Sequence, residues 1–189
     1  MATTEPIRDK EELKRFVRHY LEKGQLRNYA LVVLGLHSAL RISDLLRLRW
    51  EDVYDFEGGF FRSHIKLKES KTGKQAAVAL NKAAVVALRL YFPHRRGVFI
   101  FASSRKNASP IGRVQAYRIV RAAAEAVKLE RCVSCHSLRK TFGYHAWHSG
   151  VAVAVIMDIY NHSSYEITRR YLGISQDDRD EVYLGLTLM

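Results

Sequence analysis

The chain has 189 residues, with 31 Lys and Arg against 19 Asp and Glu, for a formal net charge of +12. That length suits one compact domain, and 48% hydrophobic with 26% charged residues excludes a disordered chain. Two cysteines, Cys132 and Cys135, exclude a disulfide scaffold; no secretion signal opens the chain, no apolar run spans a bilayer, and a soluble cytoplasmic protein is expected.

Capping residues and apolar spacing predict a mostly helical chain. Asp9 with Glu12 opens a helix through Glu22, with Gly24 as its stop and Leu13, Phe16, Val17, Tyr20 and Leu21 on one face. A second, apolar helix runs from Leu26 to about Ala39, and a short third follows Ser43 as its cap. From Trp50 to Leu80 the residues become β-branched and aromatic, with turns at Gly58-Gly59 and Thr72-Gly73. They predict about three antiparallel strands, near 52–54, 60–67 and 75–80. Asn81 caps a helix that Pro93 ends, and Ser109-Pro110 starts another that reaches Val127. A helix over 136–149 stops at Gly150, a shorter one covers 151–160, and Ser163 with Glu166 caps one ending at Leu172-Gly173. Ser175 with Asp178 opens a last, acidic-fronted helix. The fold class is mainly α with a small antiparallel sheet.

Charge is unevenly spread along these elements. Between Asn81 and Gly150 thirteen Lys and Arg face only Glu125 and Glu130, whereas Asp177, Asp178, Asp180 and Glu181 face only Arg179 near the C-terminus. The basic body suits a polyanion, and double-stranded DNA is the expected partner.

A metal-free enzyme acting on a phosphodiester needs fixed cations for the anionic oxygens, a nucleophile, and groups that take and give protons. His136 and Arg139, three apart, share one helix face. Arg41 stands between Leu40 and Ile42, with Asp44 close enough to orient it. Lys71 sits at a turn tip in Glu69-Ser70-Lys71-Thr72-Gly73-Lys74, and His162 precedes a capped helix. Tyr171 lies in the last turn of that helix beside Arg169 and Arg170, whose charge could favour its phenolate. Each residue taken alone also suits an ordinary structural role.

In chain order, Ala39-Leu40-Arg41-Ile42-Ser43-Asp44-Leu45-Leu46, Lys71-Thr72-Gly73-Lys74, His136-Ser137-Leu138-Arg139, His162-Ser163-Ser164 and Arg170-Tyr171 resemble the tyrosine recombinase, or phage integrase, family. The resemblance covers about residues 31–184. It implies a site-specific recombinase that integrates, excises or inverts a mobile or phage-derived element through a 3′-phosphotyrosyl bond, with no metal and no cofactor. Tyr171 would be the nucleophile, Arg41 and Arg139 the phosphate clamp, and His162 a further hydrogen bond to it. Lys71, on a mobile hairpin, would protonate the leaving 5′-oxygen. His136 would take a proton near Tyr171 or help hold the phosphate, and Asp44 would support Arg41. The resemblance also implies a homotetramer on synapsed DNA, a monomer or weak oligomer without it, and no membrane.

Little chain precedes the second helix where the family usually has a separate DNA-clamping domain, so residues 1–189 are expected to form the catalytic domain alone. Residues 175–189 would be an interaction tail carrying Val182, Tyr183, Leu184 and Leu186. Asn161 stands where the family more often has Gly. A non-catalytic DNA-binding module and a type IB topoisomerase are the rival functions. Cys132-Val-Ser-Cys135-His136 also fits a c-type haem attachment, and the two cysteines with His145 and His148 fit a zinc site, but two ordinary thiols are expected.

Overall fold

The computed structural model describes residues 4–104, 107–174 and 176–187. Helix α1 (Lys10–Glu22) begins where the Asp9 side chain accepts the Glu12 N–H at 2.7 Å, and Gly24, at φ 65°, turns the chain out of it. Helix α2 (Leu26–His37) is apolar all round; its residues Ala30 to Leu36 are buried, so it is the central rod of the core. It packs against α1, α5 (Lys82–Tyr91) and α7 (Cys135–His148). A side chain at Gly35 would meet Leu138 Cδ1 at 2.6 Å, so the glycine lets α7 close onto α2 one residue before Arg139.

Helix α3 (Ile42–Arg47) starts without the predicted serine cap: Arg41 is its N-cap residue, and no side chain bonds the free N–H groups. The sheet also differs from expectation. Asp52 and Val53, expected in a first strand, belong to a helical turn, α4 (Trp50–Val53); Tyr54 alone of that stretch is in a strand, and the strands make two separate hairpins. Strand β1 (Tyr54–Asp55) pairs with β2 (Phe60–Phe61), and β3 (His64–Lys68) with β4 (Gln75–Ala79). Asp52 and Val53 go helical because Trp50 and Val53 both bury on one side, a helical spacing that outweighs β propensity.

Helix α5 has the predicted Asn81 cap, and its chain continues through Pro93 as a 3-10 turn. Ser109-Pro110 does not start the next helix: Pro110 bridges Ala102 in extended pairing, and α6 (Arg113–Ala126) begins after Gly112. Helices α7, α8 (Val153–Tyr160) and α9 (Tyr165–Leu172) enclose a second core around Ala39, Ile156, Tyr160 and Leu172. Ser164, not Ser163, caps α9, accepting the Ile167 N–H. Helix α10 (Gln176–Gly185) follows; its expected cap, Ser175, lies outside the described residues. Its start is held by a 3.6 Å contact between Asp178 and His148 of α7, while Val182, Tyr183 and Leu184 face solvent.

An N-terminal strap closes the back of α7. Lys140 Nζ donates to the Thr4 carbonyl at 2.7 Å, the Ile7 N–H to Thr141 Oγ1 at 2.9 Å, and Arg8 Nη2 to the Gly173 carbonyl at 3.1 Å. The strap therefore ties the helix of His136 and Arg139 to the end of the helix of Tyr171. Among the described residues, no helix is long and apolar enough to cross a membrane.

Candidate active site

A groove of about 770 Å³ opens between the α2–α3 turn, the β3–β4 turn, the start of α6 and the start of α7. Arg41, Lys71, His136, Arg139 and Tyr171 all line it, although up to 130 residues of chain separate them. His162 lies against the inner side of Tyr171, with ring centroids 4.5 Å apart and the planes near perpendicular. His136 meets the same ring at 4.7 Å, also edge to face. Tyr171 is thus held between two imidazoles.

Helix α7 positions His136 and Arg139. Ser134 caps it by accepting the His136 N–H, and Ser137 Oγ returns a bond from the Ser134 N–H at 3.0 Å. Arg139 is 2% exposed, yet among the described residues its guanidinium meets backbone carbonyls rather than a carboxylate. It donates through Nη1 to the Ala39 carbonyl and through Nη2 to the Tyr160 carbonyl at 2.9 Å. Ala39 takes a left-handed conformation, φ 54°, at the turn that supplies this carbonyl. Tyr160, fully buried, returns its hydroxyl to the Arg139 carbonyl at 2.6 Å and lays its ring 4.4 Å from the guanidinium carbon. Carbonyls hold the cation without neutralising it, so its charge remains available to an anion.

Arg41 is held differently. Its Nη1 lies 2.9 Å from Oε1 of Glu69, a carboxylate only 2% exposed. Sequence reasoning assigned this support to Asp44; the structure corrects it. Asp44 accepts the Ser70 N–H of the β3–β4 turn at 2.8 Å, and it is Glu69, the residue before Ser70, that meets the guanidinium. Glu69 went unnoticed because nothing in the sequence marks it as buried. Burial alone would push its carboxyl up, but hydrogen bonds from Thr72 and Arg41 and the charges of Arg41 and Arg139 outweigh that and hold it below the usual carboxylate range.

Lys71 is exposed at the turn between β3 and β4, as the turn residues predict. Its turn is fastened at the base. Gly73, at φ 68°, closes it with an N–H to the Glu69 carbonyl, and Arg47 Nη1 donates to Ser70 Oγ at 2.9 Å. The cations that stand over the Tyr171 ring are Arg139 at 5.9 Å and Lys140 at 6.0 Å. Arg169 and Arg170, expected to supply basic surroundings, are exposed on α9 instead.

Both imidazoles are depressed to about 4, first by burial and then by the surrounding cations. His136 opens to solvent in the groove, so its burial is that of a concave wall rather than of a core. At neutral pH both are uncharged. His162 Nδ1 lies 3.0 Å from Thr168 Oγ1, whose hydroxyl is 3.4 Å from the Ser164 carbonyl; in the tautomer with the ring proton on Nδ1, Nδ1 donates to the threonine and the threonine to that carbonyl. That order leaves His162 Nε2 as a free acceptor.

Asn161 stands at the C-cap of α8 in the left-handed region, φ 51°. Glycine or asparagine suits that position, which accounts for the departure noted in the sequence. Cys132 and Cys135 are unpaired, and burial pushes the Cys135 thiol up to about 11. No group of three potential metal ligands occurs among the described residues.

Residues 8–177 match the phage integrase family, and the chain belongs to it. It is 38% identical over 184 residues to the Probable integrase/recombinase YoeC of Bacillus subtilis, covering 97% of each chain. It is 32% identical to the tyrosine recombinase XerC of Pelobacter propionicus, where it covers 86% of this chain and 52% of that protein. Among solved structures it resembles a XerA recombinase, with TM-score 0.77 and 22% identity over 97% of this chain and 66% of that one. A XerH recombinase bound to DNA also superposes at TM-score 0.77, with 18% identity, covering 93% of this chain and 51% of that one. The chain thus spans nearly the whole of one relative and about half of the Xer recombinase it matches. The fold is mainly helical with small antiparallel hairpins, as its sequence predicts.

Proposed function

We propose that this chain is a site-specific DNA recombinase that breaks and rejoins strands through Tyr171. The observation that carries the proposal is the packing of Tyr171 between two neutral imidazoles, in a groove that also presents Arg41, Arg139 and Lys71. Arg41 and Arg139 hold the non-bridging oxygens of a DNA phosphate, which gain charge as the phosphorus is attacked. Tyr171 Oη gives its proton to an imidazole, with His162 Nε2 available as acceptor, and bonds to phosphorus. The bond to the 5′-oxygen breaks, and the Lys71 ammonium protonates that oxygen. His136 faces the same phosphate from the start of α7 and accepts or donates according to its proton. Attack by a 5′-hydroxyl on the phosphotyrosyl bond reverses each step and rejoins the strand.

The basic stretch from Asn81 to Gly150 gives the affinity for double-stranded DNA. A DNA substrate places the enzyme in the bacterial cytoplasm, and the process served is the integration, excision or inversion of a mobile element. Four protomers act on two duplexes, and the apolar residues left uncovered on α10 and just after it dock onto a neighbouring protomer. Residues 1–189 serve as the catalytic domain.

A nicked suicide duplex carrying the recombination site tests the assignment. In EDTA, the wild-type protein forms a covalent protein–DNA band on a denaturing gel, and Tyr171→Phe forms none. Salt-sensitive binding with no covalent band on verified DNA would instead make this a non-catalytic DNA-binding module. Covalent nicking and resealing without strand exchange between duplexes would favour the topoisomerase.

A further inference from the structure

The support of Arg41, the Lys71 turn and the chain before His162 converge on one buried side chain that has no place in the roles above. Glu69 is 3% exposed, and its two oxygens divide the work. Oε1 faces Arg41 Nη1 at 2.9 Å. Oε2 accepts from Thr72 Oγ1 at 2.6 Å and from Asn161 Nδ2 at 3.2 Å. Thr72 follows Lys71, and Asn161 precedes His162. These contacts join residues 41, 69–72 and 161, which share no secondary-structure element.

We infer that Glu69 is a positioning residue that couples the phosphate clamp to the proton donor, holding Arg41, the Lys71 turn and the His162 turn in one register. A buried carboxylate suits this task because its two oxygens bind three partners at once in surroundings that strengthen each bond. The Lys71 turn needs such a tie. Its backbone is closed by its own hydrogen bonds, and Asp44 and Arg47 hold Ser70, before Lys71, whereas the Thr72 hydroxyl ties the residue after Lys71 to Glu69. Asn161 is also more than a tolerated substitute for glycine at a left-handed position: its amide carries the link from Glu69 to the segment of His162. An Arg41 drawn towards a DNA phosphate would pull on the same carboxylate that sets Lys71, so both groups reach their places together.

This inference rests on the phosphotyrosyl reading, and the experiment separates the two. Cleavage is measured on the ordinary nicked duplex and on one with sulfur in place of the bridging 5′-oxygen. A thiolate leaves without a proton, so the sulfur substrate bypasses the need for Lys71. Wild-type protein and Lys71→Ala set the scale, and DNA affinity and melting temperature are measured for every variant. If wild type forms no covalent complex on either duplex, the functional reading fails and the inference falls with it.

Given wild-type cleavage, Glu69→Gln should slow the oxygen substrate roughly 10- to 100-fold, the scale expected when catalytic groups are misplaced by about 1 Å. Its sulfur-to-oxygen rate ratio should rise towards that of Lys71→Ala, with DNA affinity within about 3-fold of wild type because the groove's cations remain. Thr72→Val should raise the same ratio. Asn161→Gly, which suits the left-handed backbone, should slow both substrates equally through the His162 side. Equal loss on both substrates for Glu69→Gln and Thr72→Val would overturn the coupling to Lys71. So would wild-type rates for Glu69→Gln. If Glu69→Gln does not fold, wild-type rates for both Thr72→Val and Asn161→Gly would overturn it equally.

Discussion

Gly143→Ala isolates the packing under Arg139. In a helix interior this change ordinarily stabilises by about 1 kcal/mol, because alanine has the better propensity. Here the sign reverses. A Cβ on Gly143 would sit 2.2 Å from the Tyr160 hydroxyl oxygen and 3.0 and 3.1 Å from two ring carbons. Tyr160 is fully buried and cannot swing into solvent. Its displacement takes the hydroxyl from the Arg139 carbonyl and the ring from beneath the guanidinium. Overpacking costs about 1–3 kcal/mol and the lost hydrogen bond about 1, so after the propensity gain the net destabilisation is about 1–3 kcal/mol. For a chain of this size that lowers the melting temperature by about 2–12 °C, read by calorimetry or circular dichroism. The Tyr160 ring also lies 4.9 Å from that of His162 and 5.3 Å from that of Tyr171, so covalent-complex formation should fall more steeply than stability. Removing the hydroxyl as well, in Gly143→Ala with Tyr160→Phe, should recover part of both losses. A single variant that melts at or above the wild type, with an unchanged cleavage rate, would refute the reasoning.

Further outcomes follow from the same geometry. His136 and His162 have folded values of about 4 against an ordinary 6.5, so the unfolded chain binds their protons first; stability is full above pH 6.5 and falls as pH drops towards 4. Denaturant melts across that range, compared with His136→Gln, should show the fall shrink in the variant, and an identical slope would contradict the neutral assignment. Imidazole resonances in the DNA-free protein should show both rings still neutral at pH 5.5. Ser134→Ala removes the cap of α7 and should cost about 1 kcal/mol, with no change in melting ruling the cap unimportant. Removing the residues after Ile174 should weaken synapsis in a band-shift assay while leaving binding to one duplex largely intact; equal loss of both would place α10 in its own domain's DNA binding instead.

Much of the helical order was legible because capping and periodicity act over a few residues. Asp9, Asn81 and Gly173 mark their helix ends as read, and apolar spacing for α1, with caps and stops for α5 and α7, places those helices within a residue or two. Local reading failed where distant packing competed. Asp52 and Val53 became helical under the pull of buried Trp50, and Pro110 paired with Ala102 rather than opening α6. Arg41, Lys71, His136, Arg139, His162 and Tyr171 stood out as a set only through their resemblance, in chain order, to the tyrosine recombinase family, since each taken alone suits an ordinary structural role. Their partners did not stand out. Asp44 is near Arg41 in sequence and Glu69 is distant, yet the ion pair goes to Glu69, because the rotation of α3 and the course of β3 set which carboxylate faces the guanidinium. Likewise no spacing rule joins Tyr160 to Arg139 or Asn161 to Glu69; those bonds exist because α7, α8 and the β3–β4 turn meet around one buried core. Sequence alone determined which residue types gather around Tyr171, and tertiary structure decided what holds each of them, since a side chain's partners depend on contacts between segments far apart along the chain.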